Sequence, residues 1–222
     1  MTLTRRWLVV LKTIAFLASL APAAYLTWAA FTGNLGANPL SDYRNETGVW
    51  TLRFLAVSLT MTPLRRLTGW NSVIRFRRMM GLYAFFYACL HFFSYLIFDR
   101  FAGLDFPNGM ASWTTVRNLA AAVADDVVQR PYITVGFLAF VVMVPLALTS
   151  TAGMIRRLGR KWQTLHRLVY VAAIGGVIHY WWLVKSDITR PMAYGAVMAL
   201  LLGFRLARRI QQAKKIIPRA AV

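Results

Sequence analysis

The sequence predicts an all-α membrane protein, a single domain in which six transmembrane helices form one bundle. The first observation is composition: 58% of the 222 residues are hydrophobic and only 15% are charged, whereas soluble domains carry about a quarter charged residues. The second is a series of apolar runs of roughly 20 residues, each long enough to cross ~30 Å of hydrocarbon. Such runs must be helical, because lipid offers no partners for backbone amides and carbonyls.

The six predicted spans follow one another with polar segments between them. The first is too long for the apolar region of a signal peptide and lacks a convincing small-residue cleavage site, so we expect it to remain in the mature protein. A basic tail, 207–222, follows the last span. The single cysteine, Cys89, excludes an intramolecular disulfide and a cysteine-based metal cluster. The spans are 8–31, 48–64, 79–98, 132–150, 165–184 and 192–206.

The distribution of charge predicts that both termini are cytoplasmic. The N-terminus, the loops 65–78 and 156–167, and the end of the chain from Arg205 hold 19 of the 26 lysines and arginines, which mark the cytoplasmic side. Because these charges lie in short segments between spans, the net charge of +19 does not indicate a nucleic-acid-binding face. All acidic residues fall on the opposite side: Asp42, Glu46, Asp99, Asp105, Asp125, Asp126 and Asp187.

The longest predicted loop, between Asp99 and Arg130, lies on the outer side. Its stretch 113–128, WTTVRNLAAAVADDVV, has helical periodicity and is typical of an amphipathic helix at the membrane interface. Such a helix could serve as a docking surface for an extracytoplasmic partner, or the loop could simply cover the bundle. No internal repeat is visible along the chain.

Three histidines, His91, His166 and His179, all fall inside predicted spans. Ionisable groups within the membrane are costly and usually functional, although a lone buried histidine is often a hydrogen-bonded structural residue. Neutral imidazole suits heme iron, and two histidines on a helical bundle commonly hold an electron-transfer heme. Zinc would need four ligands, and a proton relay would need carboxylates inside the spans. We therefore expect heme.

Depth in the membrane indicates which histidines pair. His91 lies ~12 residues from the cytoplasmic start of the third span, or ~18 Å at 1.5 Å per residue. His179 lies ~20 Å beyond His166, which is close to the cytoplasmic face. We therefore predict that His91 and His179 are the axial pair, and that His166 sits where a second heme would bind, with no visible partner.

Arginines near the cytoplasmic face form a second group of candidates. Arg77 and Arg78 adjoin the helix that carries His91. They either fix topology and contact lipid headgroups, or pair with heme propionates or a flavin phosphate, since guanidinium favours bidentate contacts with anions.

Several stretches resemble the MsrQ (YedZ) family, the heme-binding membrane subunits of bacterial protein-methionine-sulfoxide reductase systems. They include RFRRMMGLYAFFYACLHFFSYL at 75–96, RPYITVGFLAFVVMVPLALTST at 130–151 and LGRKWQTLHRLVYVAAIGGVIHYWWLVK at 158–185. The loop GNLGANPLSDYRNETGVWTLRFL at 33–55 agrees as well. The strongest part of the resemblance is one histidine on the third span and two, spaced by 13, on the fifth.

The resemblance implies a ferric-reductase-like transmembrane core, about 48–184, in the bacterial inner membrane. It also implies one or two b-type hemes, with His91, His166 and His179 as candidate iron ligands, and a role for FMN. Electrons would come from the quinone pool or a separate flavin reductase and go to the periplasmic molybdoenzyme MsrP, which repairs oxidised periplasmic proteins. The chain shows no nucleotide-binding motif, so we expect an electron-transfer subunit with no substrate-converting site. The alternative is a stand-alone transmembrane ferric or superoxide-producing reductase.

Overall fold

The computed structural model describes residues 4–101, 112–184 and 187–216, and within these ranges the chain is helical with no β-strand. Short 3₁₀ turns precede α3, at Asn71–Phe76, and α8, at His166–Leu168, and a π-helical turn, Tyr95–Phe101, extends α3. The helices are α1 (Arg5–Phe31), α2 (Pro39–Thr68), α3 (Arg77–Ser94), α4 (Trp113–Gln129), α5 (Pro131–Leu148), α6 (Ala152–Leu158), α7 (Arg160–Leu165), α8 (Val169–Leu183) and α9 (Thr189–Ile216).

Three of the described helical stretches are long and apolar enough to cross a membrane, namely Arg5–Phe31, Asn71–Phe101 and Pro131–Leu148. They agree with the first, third and fourth predicted spans. The second, fifth and sixth spans correspond to α2, α8 and α9, which do not stand out by length and composition in this way. The all-α architecture is therefore confirmed, and the number of six spans stays a prediction.

Local sequence explains where the helices begin and end. The Asn38 side chain accepts a hydrogen bond from the Ser41 amide at 3.3 Å, and Pro39 occupies the first turn of α2, where its missing N–H costs nothing. α2 ends at Gly69, whose φ of 69° is the left-handed conformation that terminates helices. Pro131 begins α5 in the same way as Pro39 begins α2.

The helix predicted in the outer loop is present as α4. Ser112 caps it, accepting from the Thr115 amide at 3.3 Å while the Thr115 hydroxyl accepts from the Ser112 amide at 3.2 Å. α4 packs against α5 and the π-helical turn. Val123 and Val127 on α4 reach the central cavity of the bundle. The helix thus lines part of that cavity, and its role as a docking surface stays a prediction.

The bundle is built from two helix pairs, α2 with α3 and α5 with α8, and α9 packs against both α2 and α8. Stacked rings fill the α2–α3 interface: the Phe54 and Tyr87 rings lie 5.2 Å apart, and those of Phe54 and Tyr83 lie 5.5 Å apart. Arg53 ties α9 to this pair by donating from Nε to the Tyr194 hydroxyl at 3.1 Å.

A tyrosine of α3 anchors α1 where proline interrupts it. Pro22 lies inside α1, and a proline disturbs the hydrogen-bond ladder around it. One turn is bridged by the fully buried Tyr87, whose hydroxyl accepts from the Ala23 amide at 3.0 Å and donates to the Ser19 carbonyl at 2.8 Å. The hydroxyl therefore takes the place of the direct bond that Ala23 would make to Ser19 in a regular helix.

Candidate cofactor site

A cavity of about 510 Å³ lies between the two helix pairs and beneath α4. Its volume falls within the range of ligand and cofactor sites, about 300–1,000 Å³. Apolar side chains form much of its wall, including Leu55, Phe140 and Met143. His91 and His179 both line it, and they come from opposite helix pairs.

The rings of His91 and His179 face the same space. Their centroids lie 6.0 Å apart, with the ring planes at 76°. Two imidazoles that share one metal ion have about this separation, because each metal–nitrogen bond measures about 2 Å and the ring centre lies ~1 Å beyond the nitrogen. The predicted juxtaposition of these two histidines is confirmed.

Each of the two histidines has one ring nitrogen held by the main chain. His91 Nδ1 lies 2.8 Å from the Arg44 carbonyl oxygen, and His179 Nδ1 lies 2.6 Å from the Tyr132 carbonyl oxygen. A carbonyl can only accept a hydrogen bond, so both Nδ1 atoms carry the proton and both Nε2 atoms are left with a free lone pair. This arrangement is the usual support for a metal-binding histidine.

Two glycines give the imidazoles their space. A Cβ on Gly48 would lie 3.0 Å from His91 Nδ1, and a Cβ on Gly136 would lie 2.5 Å from His179 Nδ1. Each glycine follows the residue with the accepting carbonyl by one helical turn, so the same stretch of helix offers both the acceptor and the space for the ring. The close approach requires glycine at these two positions.

The two halves of the site repeat the same arrangement 88 positions apart, at 44 and 132, 48 and 136, and 91 and 179. In each half, one helix supplies the carbonyl and the glycine, and its partner helix supplies the histidine. Between 44–94 and 132–182 only Gly48, Ala84 and His91 have an identical counterpart at this offset. The correspondence is therefore geometric, and the expectation of no internal repeat misses it.

The donor set fits heme better than a bare metal ion. Within the described ranges, no three histidine, cysteine, aspartate or glutamate side chains converge to form a cage for an ion. Two neighbouring imidazoles in a cavity with a largely apolar wall offer two nitrogen ligands for heme iron and room for a flat macrocycle. The residues present thus meet the chemical requirements of a bis-histidine heme.

His166 lies outside this cavity, in the 3₁₀ turn before α8. Its Nε2 is 3.1 Å from the Thr149 hydroxyl, and its ring stacks on Trp162 with centroids 3.9 Å apart. No second histidine lies beside it, since His91 and His179 face each other. Its assignment as an iron ligand stays a prediction.

Arg77 and Arg78 also lie away from the cavity. They begin α3, at the opposite end from His91, and an Arg77 guanidinium nitrogen lies 3.5 Å from the Thr62 hydroxyl. The structure therefore places them away from a heme between His91 and His179, and their assignment to heme propionates or a flavin phosphate stays a prediction. At 1.5 Å per residue, 13 or 14 residues of helix separate them from His91 by ~20 Å, beyond the reach of a side chain.

Three arginines that the sequence reasoning left unassigned line the cavity instead: Arg44, Arg100 and Arg130. Arg44 pairs with Asp99, and Arg100 pairs with Asp126. Arg130 Nε lies 3.3 Å from a carboxylate oxygen of Asp126, whose side chain is 4% exposed. The sequence feature that could have identified them is their position. Each lies near the end of a helix, on the predicted outer side of the membrane, where the acidic residues also lie.

Comparisons with known proteins identify the family of this chain. The family described as ferric reductase like transmembrane component matches residues 47–177. A protein-methionine-sulfoxide reductase heme-binding subunit MsrQ from Herminiimonas arsenicoxydans is 48% identical over 90% of this chain and 85% of its own length. Subunits with the same name from Xanthomonas campestris and Xanthomonas oryzae are 45% and 41% identical, over 90% and 100% of this chain and 87% and 97% of their own lengths. No solved structure matches the chain.

Proposed function

We propose that this chain, which belongs to the MsrQ family of heme-binding subunits of protein-methionine-sulfoxide reductases and to the ferric-reductase-like transmembrane components, binds one heme b between His91 and His179. The observation that carries the proposal is the pair of facing imidazoles, 6.0 Å apart, each with Nδ1 bound to a main-chain carbonyl. Bound there, heme would be held by His91 and His179 and would supply a one-electron carrier.

The protein's own contribution is to hold and enclose this carrier. The Arg44 and Tyr132 carbonyls fix both rings in one tautomer, which avoids reorganisation when the charge on the iron changes. With His91 and His179 both holding the iron, no ligand position would be left for a substrate, and the site would suit electron transfer better than catalysis. α4 and apolar side chains of the helix pairs form part of the wall around it.

In the cell, the subunit passes electrons across the bacterial inner membrane to the periplasmic molybdoenzyme MsrP, which reduces methionine sulfoxide in oxidised periplasmic proteins. The names of the relatives support the reductase system. The donor in this proposal is the quinone pool or a separate flavin reductase, and FMN takes part as the family resemblance implies. Six spans with both termini in the cytoplasm orient the α4 end of the cavity toward the periplasm.

The experiment is a measurement of heme per chain in purified His91→Ala and His179→Ala variants. We expect both to lose the low-spin heme spectrum, because one axial ligand is removed in each. His166→Ala is the matched control and should retain the heme, since His166 lies outside the cavity. Full heme content in either of the first two variants would refute the assignment of the axial pair.

The alternative function, a stand-alone ferric or superoxide-producing reductase, is separated by a second measurement. The heme of the purified subunit is reduced chemically, and MsrP is added with methionine sulfoxide in the absence of oxygen. Reoxidation that requires both additions supports the subunit function. Reoxidation by ferric iron or oxygen but not by MsrP supports the alternative.

A further inference from the structure

We propose that Arg44, Arg100 and Arg130 bind the two propionates of the heme, so that the carboxylate edge of the macrocycle faces the end of the bundle covered by α4. This inference rests on the proposed heme site and adds the orientation of the cofactor and the residues that impose it.

The first step in the argument is that the charged side chains lining the cavity gather at one end. Arg44 lies one turn before Gly48 on α2, Arg130 directly precedes α5, and Asp99 and Arg100 belong to the π-helical turn that follows α3. Arg44 is thus near the start of α2, Arg130 is at the start of α5, and Asp99 and Arg100 follow the end of α3. These helix ends lie at the same end of the bundle, where Arg44 pairs with Asp99.

The opposite end of the cavity is apolar. Leu55 lies 11 residues along α2 from Arg44, and Met143 lies 13 residues along α5 from Arg130. At 1.5 Å per residue these distances correspond to ~16 and ~20 Å of helix. A heme has the same polarity, with hydrocarbon edges and one edge bearing two carboxylates, and burying a carboxylate without partners is costly. Only one orientation matches the two ends.

The charges at the polar end do not cancel among themselves. Three guanidinium groups face two carboxylates, those of Asp99 and Asp126, which leaves an excess of positive charge. The Arg44 and Arg100 side chains are each 25% exposed, so they are partly withdrawn from water yet open to the cavity. Guanidinium groups in such positions favour bidentate contacts with carboxylates.

Asp126 positions two of these arginines. It lies on α4 and contacts both Arg100 and Arg130. The Tyr95 hydroxyl donates to the same carboxylate at 2.5 Å. These contacts make Asp126 the anchor of the polar end, while Arg44 reaches the cavity from α2, one turn from the glycine beside His91.

The test compares heme with its dimethyl ester, which keeps the iron and the macrocycle but has no carboxylates. The full chain, prepared without heme, is titrated with each compound, and the low-spin spectrum reports binding. We expect wild type to bind heme at least about tenfold more tightly than the ester, since charge-assisted hydrogen bonds are lost with the ester. Equal affinity of wild type for the two compounds would overturn the proposal.

Arginine variants then identify the residues. In Arg44→Gln, Arg100→Gln and Arg130→Gln the preference for heme over the ester should shrink, because the ester has no charge to lose. Arg117→Gln is the control, an exposed position on α4 that does not line the cavity, and its preference should equal that of wild type. An unchanged preference in all three cavity variants would mean that these arginines only hold Asp99 and Asp126.

The outcomes distinguish a failure of this proposal from a failure of the proposed heme site on which it rests. If neither heme nor the ester gives a bis-histidine spectrum with wild type, the proposed heme site itself fails. If both give that spectrum with the same affinity, the heme site stands and the orientation by Arg44, Arg100 and Arg130 is wrong.

Discussion

At the scale of single residues, the orientation of His91 and His179 depends on main-chain atoms. The carbonyls of Arg44 and Tyr132 accept from the Nδ1 atoms, and a carbonyl cannot be removed by a side-chain substitution. A substitution can instead fill the space beside each imidazole ring, which exists because Gly48 and Gly136 have no Cβ.

Gly136→Ala is therefore expected to reduce heme content strongly, and Gly48→Ala less so. The new methyl group would lie 2.5 Å from His179 Nδ1 in the first variant and 3.0 Å from His91 Nδ1 in the second, and overpacking of this kind costs about 1–3 kcal/mol. Heme per purified chain, from the reduced spectrum, measures the effect.

Gly81→Ala provides the matched control for both variants. It is a helical glycine of α3, and its added Cβ would lie at an ordinary 3.5 Å from the Ser58 hydroxyl. We expect wild-type heme content there. Wild-type content in Gly136→Ala would show that the ring of His179 can move without loss of the cofactor.

At this scale the sequence indicates the two histidines but not the carbonyls and arginines around them. Depth along the helices is a property of spacing, so His91 and His179 can be paired from the chain alone. The carbonyl groups that accept from these histidines cannot be identified from the sequence, because every residue has a carbonyl. Arg44, Arg100 and Arg130 lie 56 and 30 positions apart, and only the folded helix ends bring them to one cavity.

At the scale of helices, a buried tyrosine hydroxyl of α3 stabilises α1 beside its proline. Tyr87 bridges the Ala23 amide and the Ser19 carbonyl beside Pro22. We expect Tyr87→Phe to lower the free energy of unfolding by about 1–3 kcal/mol, because two buried main-chain groups lose their partner. Thermal unfolding in detergent measures the loss.

Tyr83→Phe is the comparison for this variant. The Tyr83 hydroxyl also reaches α1, but it donates only to the Phe16 carbonyl, at 2.8 Å, and accepts from no α1 amide in the described contacts. Its removal should therefore cost less than that of the Tyr87 hydroxyl. An equal or larger loss for Tyr83→Phe would argue against the bridging role of Tyr87.

α4 is held to the bundle by Asp126, whose buried carboxylate meets Arg100 and Arg130. Removing one partner from a fully buried ion pair costs about 3–5 kcal/mol. The cost is smaller here, because the Arg100 and Arg130 side chains are 25% and 51% exposed and the amide of Asp126→Asn keeps part of the hydrogen bonding. We expect this variant to release α4, so that trypsin cleaves after Arg117 roughly tenfold faster than in wild type. Mass spectrometry of the fragments measures the rate.

Asp125→Asn is the neighbouring control on α4. Asp125 is exposed and bonds only to Gln129 in the described contacts, so its cleavage rate should match wild type. Equal rates for Asp125→Asn and Asp126→Asn would mean that α4 is held by its apolar face alone.

The sequence indicates some of the helices clearly and others not at all. Long apolar runs and the periodicity of α4 are strong signals, and both are confirmed as helices. The short helices α6 and α7 and the π-helical turn are not apparent in the sequence, because breaks of one or two residues in a helical stretch depend on packing and on a glycine such as Gly159, whose φ is 50°.

At the scale of the whole molecule, two equivalent helix pairs enclose one site. The pair α2–α3 and the pair α5–α8 each supply one carbonyl, one glycine and one histidine. Neither pair carries both histidines, so a heme held by His91 and His179 would link the two halves. This correspondence is not visible in the sequence, since the helices conserve the geometry with few identical residues.

The proposed topology is tested by cysteine labelling in a Cys89→Ala background. Arg117→Cys on α4 should react with a membrane-impermeant maleimide from the periplasmic side. Arg66→Cys at the end of α2 and Arg209→Cys on α9, both exposed, should react only after the inner membrane is opened, since basic segments stay cytoplasmic. Labelling of Arg66→Cys in sealed cells would reverse the orientation.

The central claim is that His91 and His179 together hold a single heme, and the most direct measurement is the number of hemes per purified chain in wild type and in His166→Ala. We predict about one heme per chain in both proteins, because one pair of histidine rings lines the described cavity. A value near two in wild type that falls to one in His166→Ala would contradict the account.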